Sequence, residues 1–275
     1  MVRRCQSLLG TYVEVAVPDE YSDQHISEAI HHAFKEVQLV EQLMSFHQPN
    51  SDLSRINLQA FEMDVRVHPY TYEVLVMARQ LFDDTSGAFD CSIAPELQKW
   101  GLLPKTYEID MVDRGTLADL DFKVNHTISF RKPLCLDLGG IAKGYAVDKA
   151  VSALKKFGVD RAVVNAGGDM RVLGLHDEDI YVKHPLRPHQ LLYMGQLSDG
   201  AIATSATYYS KEISALKNQS ALVVPKTKQS MLTHQSYSVI AKNCLIADGL
   251  TKALAIDQDV NAPYFEKYEA IGVIL

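Results

Sequence analysis

The stretch "DLGGIAKGYAVDKA", residues 137–150, sets two glycines, a lysine and a third glycine between an aspartate and a helix pattern. Glycine is costly inside regular structure and useful where backbone must come close to something else. The run "PLCLDLGG" reads as a buried strand that breaks at the glycines, and "KGYAVDKAVSALKKFG" as an amphipathic helix stopped by Gly158. Strand, glycine turn, lysine and helix N-terminus together have the grammar of an anion site. Free N–H groups at the helix end and the Lys143 ammonium would favour a phosphate. The spacing is neither GxGxxG nor GxxxxGKS/T, so neither nucleotide fingerprint applies. A tight strand-to-helix turn explains the same residues.

Two more glycine turns carry aspartates. "NAGGDMRVLG" reads as a strand, a turn at Gly167 and Gly168, and a second strand, with Asp169 as a polar turn residue. In "TSGAFDCSIAPELQKWG", Gly87 reads as a helix C-cap and "APELQKWG" as a short helix closed by Gly101. Asp90, between Phe89 and Cys91, needs a hydrogen-bonded partner if it is buried. Three such turns suggest one ligand with extended polar parts. "ADGLTKAL" places Asp248 near a helix start, where it reads as an N-cap.

The remaining pattern interleaves strands and helices. "GTYVEVAV", "AIATSATYY" and "SYSVIAKN" read as strands. Helices are expected from Ser22 or Asp23 to about Phe46, from Ser51, from about Thr71 to before Gly87, and over "CLIADGLTKALAI", with Leu250, Leu254 and Ile256 inward. Strand-to-strand turns are frequent, so the expected class is α+β, with mainly antiparallel sheets. No repeat, linker or low-complexity tract divides the 275 residues, and one compact unit is expected.

A net charge of −7 speaks against nucleic acid or an anionic membrane as partner. The densest basic stretch, Lys226-Thr227-Lys228, reads as a solvated turn. The four cysteines form no CxxC pair; Cys91, Cys135 and Cys244 sit among apolar neighbours and read as reduced core residues. The ten histidines show no HxxxH or HExxH spacing, so no zinc site can be argued. No run is apolar enough to span a bilayer and no signal peptide is evident, so a cytoplasmic location is expected.

In order along the chain, "LLGTYVEV", "MSFHQPNSDLSRIN", "TSGAFDCSIAPELQKWG", "DLGGIAKGYAVD", "NAGGD", "ATSATY" and "ADGLTKAL" resemble the FAD:protein FMN transferases, the ApbE or thiamine-biosynthesis-lipoprotein-like family. The resemblance implies a T-fold-like ApbE architecture, FAD as substrate and Mg2+ as cofactor. It implies transfer of FMN from FAD to a Thr or Ser hydroxyl of an acceptor flavoprotein, with release of AMP. By motif position Asp137 and Lys143 would contact FAD, and Ala88, Phe89 and Asp90 would line the flavin nucleotide. Leu9 and Phe46 would pack nearby. Gly140 would offer its carbonyl to the metal, and Asp248 would be a metal ligand and assist deprotonation of the acceptor hydroxyl.

The chain also departs from that family's pattern. Leu9 replaces a methionine, and "ALVVPKTK" places Ala221, Val224 and Lys228 where a histidine, an aspartate and a glycine are usual. Lys252 holds the position of the metal-binding threonine, and Thr251 is one residue off, a rotation of about 100° on a helix. Either Lys252 pairs with Asp248 in the metal's place, or it points to solvent. These changes leave a catalytically weakened or inactive FAD-binding relative as the alternative to an active transferase.

Overall fold

A computed structural model describes residues 1–19, 23–107, 113–207 and 219–275. Ser22, and Tyr208 and Tyr209 of the expected strand "AIATSATYY", lie outside the described residues. The strands and helices run in the order β1 (Val2–Leu8), β2 (Thr11–Val17), α1 (Asp23–Met44), α2 (Asp52–Gln59), β3 (Val65–Arg66), α3 (Pro69–Asp84) and α4 (Ala94–Trp100). Next come β4 (Leu120–Lys123), β5 (Thr127–Phe130), α5 (Ala142–Lys156), β6 (Ala162–Ala166), β7 (Asp169–Leu173), β8 (Glu178–His184) and β9 (Arg187–Leu197). The last are β10 (Ala201–Ala206), β11 (Val223–Val224), β12 (Gln229–Ser230), β13 (Ser236–Ala241), α6 (Cys244–Asp257), α7 (Pro263–Lys267) and β14 (Ile271–Ile274). The expected α+β class with antiparallel pairing holds. The chain divides into two compact units, one of Met1–Glu41, Ile141–Ala206 and His234–Leu275, the other of Gln42–Gly140 and Thr207–Thr233.

The first unit is built on a seven-stranded sheet in the order β1-β2-β6-β7-β10-β13-β14. Alternation along the strands decides its two faces. Ile202 stands in register with Met170 and Ile240, and these pack with Ile180 and Val182 of the β8–β9 hairpin. The intervening Ala201, Ala203, Val239 and Ala241 are small or β-branched and buried. α6 is apolar around almost its whole circumference, from Cys244 to Ala255, and such a helix has to be covered on several sides. It is covered by α5, β10 and β13. Leu250 and Leu254 are fully buried as expected, whereas Ile256, near the helix end, is only half-buried.

Close approach of α5 to α6 explains the third glycine of the opening stretch. A Cβ on Gly144 would lie 2.2 Å from the Cys244 carbonyl oxygen. Asp148, also in that stretch, accepts the Cys244 and Leu245 N–H groups at 2.9 and 2.8 Å, capping α6 beside its N-cap Asn243. The expected stop at Gly158 holds, with φ +73° and its N–H donating to Lys155.

In the second unit β3, β5 and β4 form a three-stranded antiparallel sheet, and β11 pairs with β12. Ser51 caps α2 as expected, but α3 begins at Pro69 with His68 as N-cap. The buried Asp52 carboxylate joins these helices by accepting His68 N–H at 2.6 Å and Thr71 Oγ1–H at 2.9 Å. Cys91, Cys135 and, in the first unit, Cys244 are buried and in no disulfide, while Cys5 is exposed.

One expected strand is absent: 133–138 lies in no strand or helix. Its buried backbone is satisfied by a side chain. Asn57 donates Nδ2–H to the Leu136 carbonyl at 2.9 Å and accepts the Leu136 N–H at 2.8 Å, imitating a neighbouring strand. Leu136 is fully buried, so Asn57→Ala strands both groups. We expect a loss of about 2 to 4 kcal/mol, as each unsatisfied buried group costs roughly 1–3 kcal/mol. Urea denaturation measures it; a change below about 0.5 kcal/mol would mean that water replaces the amide.

Candidate functional site

In the first unit, three separate sequence segments converge on one buried cluster. Gly167 (φ +66°) and Gly168 (φ +107°) turn the chain from β6 into β7, and the Gly168 N–H donates to Asn165 Oδ1 at 2.9 Å. A Cβ on Gly167 would lie 2.5 Å from Thr11 Oγ1, so both space and backbone reserve this place for glycine. Asp169 follows at the start of β7, 2% exposed, and receives the Lys143 ammonium from the first turn of α5. Lys143 Nζ also stands 3.8 Å from Asp248 Oδ1.

Asp248 is fully buried on α6, whose N-cap is Asn243, so the N-cap reading of Asp248 is corrected: the helix starts one turn earlier. Its Oδ2 accepts the Gly144 N–H at 3.0 Å and its Oδ1 accepts the Lys252 ammonium. Lys252 donates to the Asp248 carbonyl as well, at 3.1 Å, so it pairs with Asp248 instead of reaching into solvent. Thr251, one residue earlier, turns its hydroxyl away, bonding the Asp248 carbonyl at 2.7 Å and Ser205 Oγ at 2.7 Å.

Two carboxylates and two ammonium groups make this cluster electroneutral. Burial pushes the Asp248 carboxyl up, but Lys143, Lys252 and the Gly144 N–H outweigh it and hold it below the usual carboxylate range. Asp169 is raised, by burial and by the neighbouring Asp248 charge, with Lys143 offsetting only part. Burial pulls the Lys143 ammonium down, yet Asp169 and Asp248 prevail and hold it well above its ordinary value. Leu9, also in this unit, is not in a strand: with Gly10 it forms the β1–β2 turn at φ +56°, its N–H donating to Glu41 at 2.8 Å.

The donor set at Asp248 bears directly on the expected metal. Hard divalent ions need several free oxygens, near-octahedral for magnesium. Here one carboxylate oxygen holds a backbone N–H and the other an ammonium. Thr251, the nearest hydroxyl on α6, is engaged elsewhere. Among the described residues no group of three His, Cys, Asp or Glu side chains is placed to hold a metal. As arranged, these residues do not fit magnesium. Gly140 is half-buried and belongs to the second unit.

The second unit holds the remaining candidates. Ala88 and Phe89 are buried, and Phe46 packs edge-on against Tyr107 with ring centres 5.1 Å apart. Asp90 is buried as feared from its neighbours, and Ser92 N–H supplies the required partner at 2.8 Å. Burial raises its carboxyl, with the charges of Lys228 and Arg114 opposing. Asp137 is half-buried, and its N–H donates to the Cys91 carbonyl at 2.9 Å, tying its segment to that of Asp90.

Lys226 and Thr227 are exposed as expected, but Lys228 is half-buried, and burial lowers its ammonium against the pull of Asp90. It occupies φ +59° and closes the β11–β12 turn through its N–H to Val224 at 2.8 Å, a backbone shape that suits the glycine it replaces. Sequence reasoning missed Glu96 and Arg114, a buried ion pair at 2.7 Å, for which local sequence offered no signal.

Residues 9–274 match the model of the ApbE family. The FAD:protein FMN transferase of Vibrio cholerae serotype O1 is 27% identical over 232 residues, covering 79% of this chain and 70% of that protein. That of Buchnera aphidicola subsp. Schizaphis graminum is 26% identical over 267 residues, covering 90% and 77%. A variant of the flavin transferase ApbE from Vibrio cholerae superposes with a TM-score of 0.81 at 23% identity, over 99% of this chain and 92% of that one. The ApbE protein of Thermotoga maritima gives 0.78 at 25% identity, over 97% and 89%. With 9–274 matched, the chain belongs to the ApbE family.

Proposed function

We propose that this protein transfers FMN from FAD to a Thr or Ser hydroxyl of an acceptor flavoprotein, the two units together acting as one ApbE-like domain over 1–275. The observation that carries the reading is the convergence of Lys143, Asp169 and Asp248, each from a different glycine-bearing segment, in one buried cluster. The acceptor oxygen attacks the phosphorus of the FMN half. The pyrophosphate P–O bond breaks, AMP leaves, and the hydroxyl proton passes to a base. In such reactions positioning and charge neutralisation do most of the work.

In this reading Lys143 meets a pyrophosphate oxygen. An ammonium has three donors; Asp169 takes one, and Asp248 at 3.8 Å is beyond hydrogen-bond reach, so donors remain for the phosphate. Asp137, Ala88, Phe89 and Asp90 line the nucleotide, with Leu9 and Phe46 nearby. Asp248, kept ionised, would orient the acceptor hydroxyl and assist its deprotonation only through an oxygen lone pair not taken by the Gly144 N–H or the Lys252 ammonium. The magnesium implied by family likeness would use Asp248 and the Gly140 carbonyl, but the donor set at Asp248 does not admit it without displacing Lys252, and no step is assigned to it. A cytoplasmic location belongs to the same reading, supported by four cysteines that form no disulfide. No described helix is long and apolar enough to cross a membrane.

Incubation with FAD and a candidate acceptor domain, followed by mass measurement, tests the proposal. The expected result is an acceptor heavier by one FMN less water, with an equal amount of AMP released. FAD binding without any mass gain across several flavoprotein acceptors would leave only the binding relative.

A further inference from the structure

We infer that the Lys252 ammonium is a tethered counter-ion that keeps divalent metal ions away from Asp248. The inference rests on the transferase reading only for the expectation that a metal belongs there. The charges of Asp169 and Asp248 are already balanced by Lys143 and Lys252, so an arriving divalent ion meets no uncompensated negative charge. Asp248 Oδ2 is fixed, because the Gly144 N–H that it accepts belongs to a helix packed directly on the Cys244 backbone. Oδ1 carries Lys252, which is anchored a second time on the Asp248 carbonyl at 3.1 Å. The two residues are one helical turn apart, so the ammonium is always at hand, whereas a metal must come from solution. Asp248 is fully buried and the Lys252 side chain 22% exposed, so the pairing is weakly screened. Thr251 cannot step in as a ligand without giving up its bonds to Ser205 and the Asp248 carbonyl.

Mn2+ titration of the full chain without FAD, followed by electron paramagnetic resonance, reads this directly. The wild type is expected to show no saturable site at sub-millimolar Mn2+. Lys252→Met, which keeps the chain length without the charge, and Lys252→Thr, which adds an oxygen, should each gain one site, roughly tenfold or more tighter than any wild-type binding. Near-UV circular dichroism checks their packing, and Lys252→Gln serves if either fails to fold. A stoichiometric wild-type site, or variants that gain none, would overturn the inference. Flavin fluorescence in EDTA and the acceptor-mass assay separate the two claims. Transfer together with a wild-type Mn2+ site sinks the counter-ion and keeps the transferase. No transfer, but a site gained in Lys252→Met, does the reverse.

Discussion

Gly144→Ala should cost about 3 kcal/mol of folding stability, at the upper end of what overpacking usually costs. In an exposed helix the same change would gain about 1 kcal/mol, since alanine is the better helix former. The sign reverses here because of what the new methyl group would meet. Its Cβ would stand 2.2 Å from the Cys244 carbonyl oxygen, 2.6 Å from its carbon and 2.8 Å from Asp248 Cβ. Two of those three atoms are backbone, which cannot rotate aside, so α5 and α6 must separate. Separation also stretches the Gly144–Asp248 bond, now 3.0 Å, and the two Asp148 caps on α6. Urea denaturation should show a midpoint far below wild type, with flavin binding weakened in the fraction that folds. A variant as stable as wild type would mean that α5 and α6 do not approach in this way.

The same glycine shows what sequence could and could not disclose. A short run with three glycines announced close approach, and the approach is real, but at Gly144 it is made by another helix rather than by a ligand. Nothing local told the two apart, because the partner lies 100 residues further along the chain. The pattern was reliable for α5, with its buried face, and for β6, β7 and β13, short runs buried at most of their positions. It failed at 133–138, where burial is complete at Leu136 but a side chain, Asn57, takes the place of the neighbouring strand. Lys252 was left open between Asp248 and solvent, although a helix turns about 100° per residue. That rotation separates the directions of Thr251 and Lys252, and the structure has one facing Ser205 and the other Asp248. Lys228, by contrast, read as a solvated lysine, because its positive φ and its burial near Asp90 arise only once the β11–β12 turn has closed.

Lys143→Met should cost about 3 to 5 kcal/mol at neutral pH, the usual penalty for removing one partner of a buried ion pair. The loss lies in what remains. Asp169, with a side chain 3% exposed, would face the Asp248 carboxylate with Lys252 as the cluster's only cation. Its carboxyl is already raised by burial and by Asp248, and losing Lys143 raises it further. A carboxyl whose folded value lies above its unfolded value binds more protons when folded. Stability is then lost as pH rises from the unfolded value through the folded one, and is regained on acidification. The deficit of Lys143→Met relative to wild type should therefore grow between about pH 4 and pH 7, and chemical denaturation at the two ends measures it. Adding Asp169→Asn removes the orphaned charge, so the double variant should recover a large part of the loss, a coupling that independent sites do not show. A deficit equal at both pH values and unrelieved by Asp169→Asn would mean that Lys143 stabilises the fold through its aliphatic stem, and that Asp169 holds no stranded charge.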